Sequence, residues 1–125
     1  MRIIAGNLKG STLYMPKDKN TRPLRDLTRE SIFNLLTHSN KISFQFEQSN
    51  ILDLYAGTGS FGLECLSRQA KSVCFVEKGK NVIKILEKNV KKLKLEGKTK
   101  IFFNDVFNLI KKKKYLRFKI SSYFY

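Results

Sequence analysis

Two acidic residues and three glycines are the residues of this chain whose types and spacing indicate chemistry. The apolar run Ile51–Leu54 contains Asp53, and a second apolar run over residues 72–76 ends at Glu77. The turn after the first run holds three glycines, which are Gly57, Gly59 and Gly62. Glu77 lies 20 residues after Gly57. This order predicts a strand, a tight loop, a helix and a second strand that ends in a carboxylate.

Each of these residue types has a physical role in such a unit. Gly57 and Gly59 allow a sharp turn and let the backbone approach a ligand, while Gly62 lets the following helix lie close to the strand. Free backbone N–H groups at the start of that helix are donors for a ligand's oxygens. A carboxylate at the end of the second strand, Glu77, can accept hydrogen bonds from two ribose hydroxyls. The pattern therefore predicts a site for a nucleoside-bearing cofactor.

Asp53 distinguishes between the possible cofactors, because the glycines alone also fit a dinucleotide fingerprint. A carboxylate four residues before Gly57 points into the crevice at the carboxyl end of the strand. It would repel a pyrophosphate and attract the ammonium of an amino-acid moiety. Asp53 therefore favours S-adenosylmethionine, and a nicotinamide-dependent Rossmann enzyme remains the alternative.

Composition predicts one small cytoplasmic domain. A chain of 125 residues with 42% hydrophobic residues can form a single core. No apolar run approaches the roughly 20 residues of a membrane span, and no signal peptide is visible. Cys65 and Cys74 lack metal-ligand spacing and are expected to be reduced core residues. His38 is the only histidine, so neither a metal site nor histidine catalysis is expected.

The formal net charge of +15 indicates a polyanionic partner. Lysine, however, dominates the basic residues, and an AT-rich coding sequence gives the same excess without selection for binding. The six arginines are more informative, since the planar guanidinium suits phosphate recognition. Arg22, Arg25 and Arg29 lie within eight residues of one another. This cluster is a candidate contact for nucleic acid.

The N-terminal third is predicted to form a hairpin followed by a helix. The apolar-rich runs Arg2–Ala5 and Thr12–Met15 are separated by turn residues, which predicts the hairpin. An amphipathic helix is expected from Pro23 to about His38. Its predicted apolar face consists of Leu24, Leu27, Ile32, Leu35 and Leu36. Its predicted outer face carries Arg25, Arg29 and Glu30. Residues 39–49 are predicted to be a loose polar segment.

After Glu77 the same α/β alternation continues. Apolar residues from Val82 to Leu93 predict a helix whose outer face is almost entirely lysine. This face is most simply solvated, and contact with nucleic acid is the alternative. Residues 101–103 predict a third strand that ends at Asn104 and Asp105, and residues 106–110 predict a short helix. Lysines 111–114 are predicted to form an exposed loop.

Three blocks of sequence together resemble the RsmD family, whose members methylate the exocyclic N2 of a guanine in small-subunit ribosomal RNA with S-adenosylmethionine. The chain opens with Met1-Arg2-Ile3-Ile4-Ala5-Gly6 and Lys9-Gly10. Residues 21–36 contain an Arg-Pro…Asp…Arg-Glu…Phe-Asn helix pattern. Residues 53–64 with Glu77 resemble the family's cofactor motif. The resemblance runs from residue 1 to about residue 110.

The resemblance implies a fold and roles for individual residues. The fold is a Rossmann-like class I methyltransferase domain, three-layer α/β/α with an incomplete sheet, over residues 23–125. Residues 1–22 form an RNA-facing hairpin extension. The methionine moiety would be held by Asp53, Ala56, Gly57, Thr58 and Gly59, the ribose by Glu77 and the adenine by Asp105. Ribosomal RNA would lie near Arg2, Lys9, Arg22, Arg25 and Arg29. The complete protein would be a cytoplasmic monomer that acts on 16S rRNA or the small subunit, with its target base splayed out of the RNA.

One element of the family pattern is missing from this sequence. The family's catalytic signature, Asp/Asn-Pro-Pro-Tyr/Phe, is expected shortly after the lysine run, but the only prolines are Pro16 and Pro23. Residues 115–125 instead show the alternation of a half-exposed edge strand. We therefore assign no catalytic residue, and we expect the chain as written to be inactive through a shifted frame or truncation. A non-catalytic RNA- or cofactor-binding remnant is the alternative.

Overall fold

The computed structural model describes residues 1–17, 26–41 and 44–111 of the chain. Its helices and strands alternate along the chain. In chain order they are α1 (Asp26–His38), β1 (Asn50–Leu54), α2 (Ser60–Ser67), β2 (Ser72–Glu77), α3 (Lys80–Lys92), a 3-10 turn (Glu96–Lys98), β3 (Thr99–Phe103) and α4 (Val106–Lys111). Each strand and helix predicted between residues 50 and 110 is present.

The described strands form one parallel sheet in the order β1-β2-β3. Leu52 lies opposite Cys74, and Val76 lies opposite Phe102. β2 is central and buried over Ser72–Val76, as expected for a strand covered on both faces. All three strands therefore end at the same edge of the sheet, where the residues that follow them can meet.

Helices cover both faces of this sheet. Val73 and Phe75 pack in the larger core with Leu63 of α2 and Leu86 of α3. On the opposite face Val76 packs with Val106 and Leu109 of α4. This is the three-layer α/β/α arrangement predicted from the sequence.

Gly62 explains how closely α2 approaches the sheet. A Cβ at this position would lie 2.3 Å from Cε1 of Phe75 and 2.8 Å from Cγ1 of Val73. Both residues are fully buried in the central strand, so neither can move aside cheaply. The helix therefore lies against β2 at a distance that only glycine permits, as predicted.

The N-terminal segment is a short antiparallel hairpin fastened to α2 and α3. Ile3 N–H donates to the Ser11 carbonyl at 2.9 Å, and Leu13 N–H donates to the Met1 carbonyl at 2.8 Å. The side chains of Ile3 and Leu13 are buried in the same core as the sheet. The boundary predicted between residues 22 and 23 lies outside the described residues.

The carboxylate of Glu64 holds one strand of this hairpin. It is completely buried in α2 and accepts the N–H groups of Ile4, at 2.9 Å, and Ala5, at 3.0 Å. Arg68 Nε, one turn later, lies 3.2 Å from the same carboxylate. The buried charge is thus compensated by donors on three sides, as a buried ion requires.

The predicted orientation of α1 is wrong for Arg29 and Leu35. Arg29 was expected on the outer face, but its side chain is fully buried and Nη2 donates to the Arg2 carbonyl. Leu35 was expected in the core and is 58% exposed. The helix instead buries Phe33, which lies one turn after Arg29 and stacks with Phe61 at 5.0 Å between ring centroids. The predicted apolar face consists of leucines and Ile32 and does not include Phe33.

The segment after α1 also differs from the prediction of a loose polar loop. Phe46 is buried and its ring centroid lies 5.4 Å from that of Phe33. Phe44 meets Phe46 edge-on at 4.8 Å. Isolated aromatic residues in a polar segment thus supply part of the core, since each buries a large apolar area.

Within the described part of the chain, none of the helices has the length and apolarity that a membrane span needs. The predictions for Lys112–Lys114 and for residues 115–125 lie outside the described residues, as do those for Pro23, Leu24 and the side chain of Leu27.

The packing at Gly62 gives a direct test of the helix–sheet contact. We expect Gly62→Ala to lower the free energy of unfolding by roughly 1–3 kcal/mol, because the added methyl group overpacks a rigid core. Gly97→Ala is the matched control, since a Cβ there meets nothing within 4 Å. Urea unfolding of both variants measures the difference. Equal stabilities would show that α2 does not approach β2 as closely as described.

Candidate functional site

Asp53 and Glu77 lie on neighbouring strands and on the same face of the sheet. Asp53 is paired with Phe75 in the register of β1 and β2, and Glu77 follows Phe75 by two residues. Side chains two residues apart on a strand point to the same face. The two carboxylates therefore lie on one face of the sheet near its carboxyl edge, and Asp53 contacts the first turn of α2.

The Glu77 carboxylate links the glycine loop to the turn that precedes α3. Oε1 accepts the N–H of Gly57 at 3.0 Å. Oε2 accepts the N–H groups of Lys78, at 2.9 Å, and Gly79, at 2.7 Å. These three bonds use three of the roughly four acceptor positions of a carboxylate, so about one stays available to a ligand. The side chain is only partly buried, and its role as a ribose-binding acid stays a prediction.

Asp53 is buried behind the loop, and its 8% exposure leaves it little contact with water. Oδ2 accepts the N–H of Gly62 at 3.1 Å. Burial raises the pKa of Asp53 to about 6; the Gly62 hydrogen bond opposes this shift and the negative charge of Glu77 adds to it. The ionised form is thus held at a cost, which a cation placed beside it would reduce.

The loop itself has the backbone conformations that its glycines permit. Gly57 has φ +59° and a Cβ there would meet nothing within 4 Å, so its environment is open. Gly59 has φ +89°, and a Cβ there would lie 2.4 Å from Cδ1 of Leu86. Tyr55 also has a positive φ of 57° and is 60% exposed. Gly57 thus fits the predicted open approach, whereas Gly59 is required by packing against α3.

Ala56 and Thr58 are fixed by the elements around the loop. Ala56 N–H donates to the Val76 carbonyl, and its own carbonyl accepts the N–H of Gly59, both at 3.0 Å. The Thr58 carbonyl accepts Nδ2 of Asn89 at 2.9 Å. The sequence did not single out Asn89, although a polar residue between the apolar positions of α3 was a visible signal.

Asp105 lies at the same edge of the sheet, after β3. Its Oδ1 accepts the N–H groups of Phe107, at 2.8 Å, and Asn108, at 3.3 Å, and so caps α4. Oδ2 lies 3.7 Å from Nζ of Lys78, the residue after Glu77. Asp105, the predicted adenine contact, thus lies near the residue that follows Glu77, the predicted ribose contact. Asp105 also has a structural role, because it caps α4.

Of the residues predicted to contact RNA, Arg2 and Lys9 come together. They line a cleft of about 440 Å³ between the hairpin and α1, which also contains Glu30. Arg22 and Arg25 lie outside the described residues. Arg29 is buried beneath the hairpin, so its guanidinium supports the Arg2 backbone and is not presented at the surface.

A second groove, of about 420 Å³, lies between α3 and β3. Its lining includes Glu87, Lys91, Glu96 and Lys100. None of the predicted cofactor residues lines it, but Lys91 belongs to the lysine face of α3 whose alternative role is contact with nucleic acid. Mixed charges of this kind on a surface groove are most simply solvated.

Comparison with known proteins gives a consistent family. The model of a family described as Conserved hypothetical protein 95 matches residues 1–120. Ribosomal RNA small subunit methyltransferase D of Haemophilus influenzae is 43% identical over 94 residues, which are 75% of this chain and 46% of that protein. The Escherichia coli protein of the same name is 36% identical over 94 residues, or 75% of this chain and 44% of that protein.

A solved structure has the same fold. The structure of the Escherichia coli protein yhhF superposes with a TM-score of 0.72 at 31% sequence identity. That protein is named as a methyltransferase. The match covers 87% of this chain and 55% of that one. The chain thus spans about half the length of the curated relatives it matches. The resemblance to the RsmD family and the α/β fold class predicted from the sequence are both confirmed.

The raised pKa of Asp53 predicts how stability depends on pH. Because the folded-state pKa of about 6 lies above the ordinary value of 3.8, the folded chain binds more protons than the unfolded chain between these values. The contribution of the protonated Asp53 to the free energy of unfolding is fully present below pH 4 and is lost as pH rises through 6. We expect the free energy of unfolding of Asp53→Asn, relative to that of the wild type, to rise by up to about 3 kcal/mol from pH 4 to pH 7.

Urea unfolding of both proteins at several pH values measures this difference, in which the titration of other groups largely cancels. Glu47→Gln, at an exposed acid, is the control and should follow the wild type. Parallel curves for Asp53→Asn and wild type would contradict the burial of an ionised Asp53.

Proposed function

Because the chain belongs to the family described as Conserved hypothetical protein 95, the RsmD-type rRNA methyltransferases, we propose that it binds S-adenosylmethionine at the edge of the sheet formed by Asp53, the glycine loop and Glu77. The proposed reaction of the lineage is methylation of a guanine N2 in 16S rRNA of the small ribosomal subunit. The observation that carries the proposal is the pair of carboxylates that bond the glycine loop, Glu77 at Gly57 and Asp53 at Gly62.

The residues present fit the proposed cofactor. Asp53 lies in a buried position where an ammonium would offset the negative charges of both acids. Glu77, beside the open turn at Gly57, keeps about one acceptor position for a ribose hydroxyl. Asp105, close to Lys78, is the proposed adenine contact. Ala56, Thr58 and Gly59 shape the turn that faces the methionine moiety.

Asp53 disfavours a nicotinamide cofactor, whereas an acid in the position of Glu77 fits either cofactor. A pyrophosphate carries negative charge and would lie at the glycine loop and the start of α2, where Asp53 accepts the N–H of Gly62. Like charges in a partly buried site repel strongly, because little water screens them. The nicotinamide-dependent enzyme therefore remains the weaker alternative, and an NAD(H) titration separates the two.

RNA is proposed to lie against the hairpin cleft. Arg2 and Lys9 line it together, and the chain as a whole carries a net charge of +15. Arg22 and Arg25 extend the proposal beyond the described residues. Arg29 is left out, because it is buried. Glu30, in the same cleft, would repel a phosphate and so limit where the RNA backbone can pass.

The chemistry of the lineage depends mainly on positioning. S-adenosylmethionine supplies the methyl group, and a protein acceptor for the guanine amino protons keeps the nitrogen lone pair available. This sequence, with prolines only at Pro16 and Pro23, does not contain the Asp/Asn-Pro-Pro-Tyr/Phe signature that serves this purpose in the family. We therefore propose that the 125-residue chain binds the donor and RNA without transferring the methyl group.

The first test measures cofactor affinity as a function of pH. S-adenosylhomocysteine retains the ammonium, ribose and adenine, so calorimetry with this ligand reports on the site. We expect its affinity to rise by up to about tenfold from pH 5 to pH 7 in the wild type, because the ammonium prefers ionised Asp53. Asp53→Asn should bind more weakly at pH 7 and lose the pH dependence, while Glu47→Gln should behave as the wild type.

Two outcomes would contradict the assignment. Equal affinity of Asp53→Asn and wild type at all pH values would remove Asp53 from the site. Tighter binding of NAD(H) than of S-adenosylhomocysteine would replace the proposed cofactor by the alternative.

The RNA cleft is tested by the salt dependence of binding. We expect the double variant Arg2→Ala, Lys9→Ala to bind a fragment of small-subunit rRNA more weakly and to reduce the slope of log affinity against log salt by about one per residue. Lys98→Ala removes one charge from the exposed 3-10 turn before β3 and serves as the control. An unchanged affinity and slope in the double variant would exclude the cleft as an RNA contact.

A further inference from the structure

Asn89 of α3 connects the hairpin to the glycine loop. Its side chain is completely buried. Oδ1 accepts the N–H of Tyr14 at 2.7 Å, and Nδ2 donates to the Tyr14 carbonyl at 3.1 Å. The second hydrogen of Nδ2 is donated to the Thr58 carbonyl at 2.9 Å. One amide group thus bonds two segments that are 31 and 75 residues away in the sequence.

The bond to Thr58 fixes the orientation of one peptide group in the loop. The carbonyl of the Thr58–Gly59 peptide accepts from Asn89, and its N–H, on Gly59, donates to the Ala56 carbonyl at 3.0 Å. Both polar ends of this peptide are therefore occupied. Rotating it would break both hydrogen bonds, each with a net worth of about 1 kcal/mol and a larger cost if a buried partner stays unsatisfied.

The bonds to Tyr14 fix the other end of the connection. The Asn89 amide accepts from the Tyr14 N–H and donates to the Tyr14 carbonyl, which are the two bonds that a residue of a paired strand would make. Met15, the next residue, touches the loop through a contact of 3.8 Å between its Sδ and Oγ1 of Thr58. A shift of the hairpin strand therefore changes the environment of the loop directly.

A buried amide in a helix costs stability unless it is fully bonded, and leucine would fill a comparable volume in the core without that cost. Among the described residues, all the hydrogen bonds of the Asn89 side-chain amide go to the hairpin and the loop, and none goes to its own helix. The Asn89 amide therefore fixes the position of the hairpin relative to the glycine loop. Directional hydrogen bonds do this more specifically than apolar packing.

We propose that Asn89 is a positioning residue that couples the cofactor loop to the N-terminal hairpin, so that binding of a ligand at the loop tightens the hairpin at Tyr14. The inference rests on the proposed function for the identity of the ligand, S-adenosylmethionine. Coupling of this kind is reciprocal, so a hairpin held in place by its own partner would raise the affinity of the loop for the cofactor.

The test combines one measurement on the wild type with a pair of variants. Hydrogen exchange of the Tyr14 amide, which donates to Asn89, is followed by NMR without and with saturating S-adenosylhomocysteine. We expect the ligand to slow this exchange about tenfold in the wild type. Asn89→Ala should lose the slowing and bind S-adenosylhomocysteine about tenfold more weakly. Asn89→Asp, which keeps the shape but not the two donors, should behave similarly.

Lys92→Met is the matched control on the same helix. Lys92 Nζ donates to the Thr12 carbonyl and lies 5.1 Å from the centre of the Tyr14 ring, but it has no contact with Thr58. This variant loses a hairpin contact without touching the loop. It should retain both the affinity for S-adenosylhomocysteine and the slowed exchange of the Tyr14 amide.

The outcomes separate this inference from the proposed function. No binding of S-adenosylhomocysteine to the wild type would overturn both. Binding with an unchanged Tyr14 exchange rate would overturn the coupling alone, and this arm does not depend on whether a variant folds. A purely structural Asn89 would lower the melting temperature of Asn89→Ala while its folded molecules kept wild-type affinity, which would also overturn the coupling.

Discussion

The close approach of α2 to the central strand is the constraint on which the other contacts depend. It exists because Gly62 has no side chain to separate the helix from Phe75 and Val73. At this distance the N–H of Gly62 reaches the Asp53 carboxylate, so packing and the candidate site share one residue. Glu64, one half-turn later, is brought to the backbone of Ile4 and Ala5. A wider gap between helix and sheet would disturb the loop, the buried acid and the hairpin together.

Keeping Asp53 ionised beside Glu77 lowers the stability of the fold, and no structural role of Asp53 within the described part of the chain requires a charged side chain. Burial and the charge of Glu77 raise the pKa of Asp53, so at neutral pH the chain holds an ionised carboxylate in an unfavourable place. Asparagine could accept the same hydrogen bond from Gly62 without this penalty. Functional sites commonly retain such perturbed groups because a ligand of opposite charge recovers the lost free energy. The proposed ammonium is a ligand of that kind.

The sequence predicted the parts of the fold that depend on local patterns. The βαβ unit, its open turn at Gly57 and the acid at Glu77 follow from apolar runs and glycine spacing, and the structure contains them. Arg29 was missed because its burial depends on the Arg2 carbonyl, which only the folded hairpin supplies. Glu64 and Asn89 were missed for the same reason, since their partners are backbone groups distant in sequence. The sequence can show such a polar residue among apolar ones, as at Asn89, but it does not show which distant backbone group the side chain bonds.

The proposed cofactor binding and methyl transfer depend on different residues. Three side chains bond the backbone of the loop and the first turn of α2: Glu77 to Gly57, Asp53 to Gly62, and Asn89 to Thr58. None of the three belongs to the family's catalytic signature. Methyl transfer, in contrast, needs acceptors for the guanine amino protons, and positioning of the reacting atoms dominates its rate. The proposed donor binding can therefore be tested on this chain, which spans about half the length of its curated relatives, by experiments in which no methyl group is transferred.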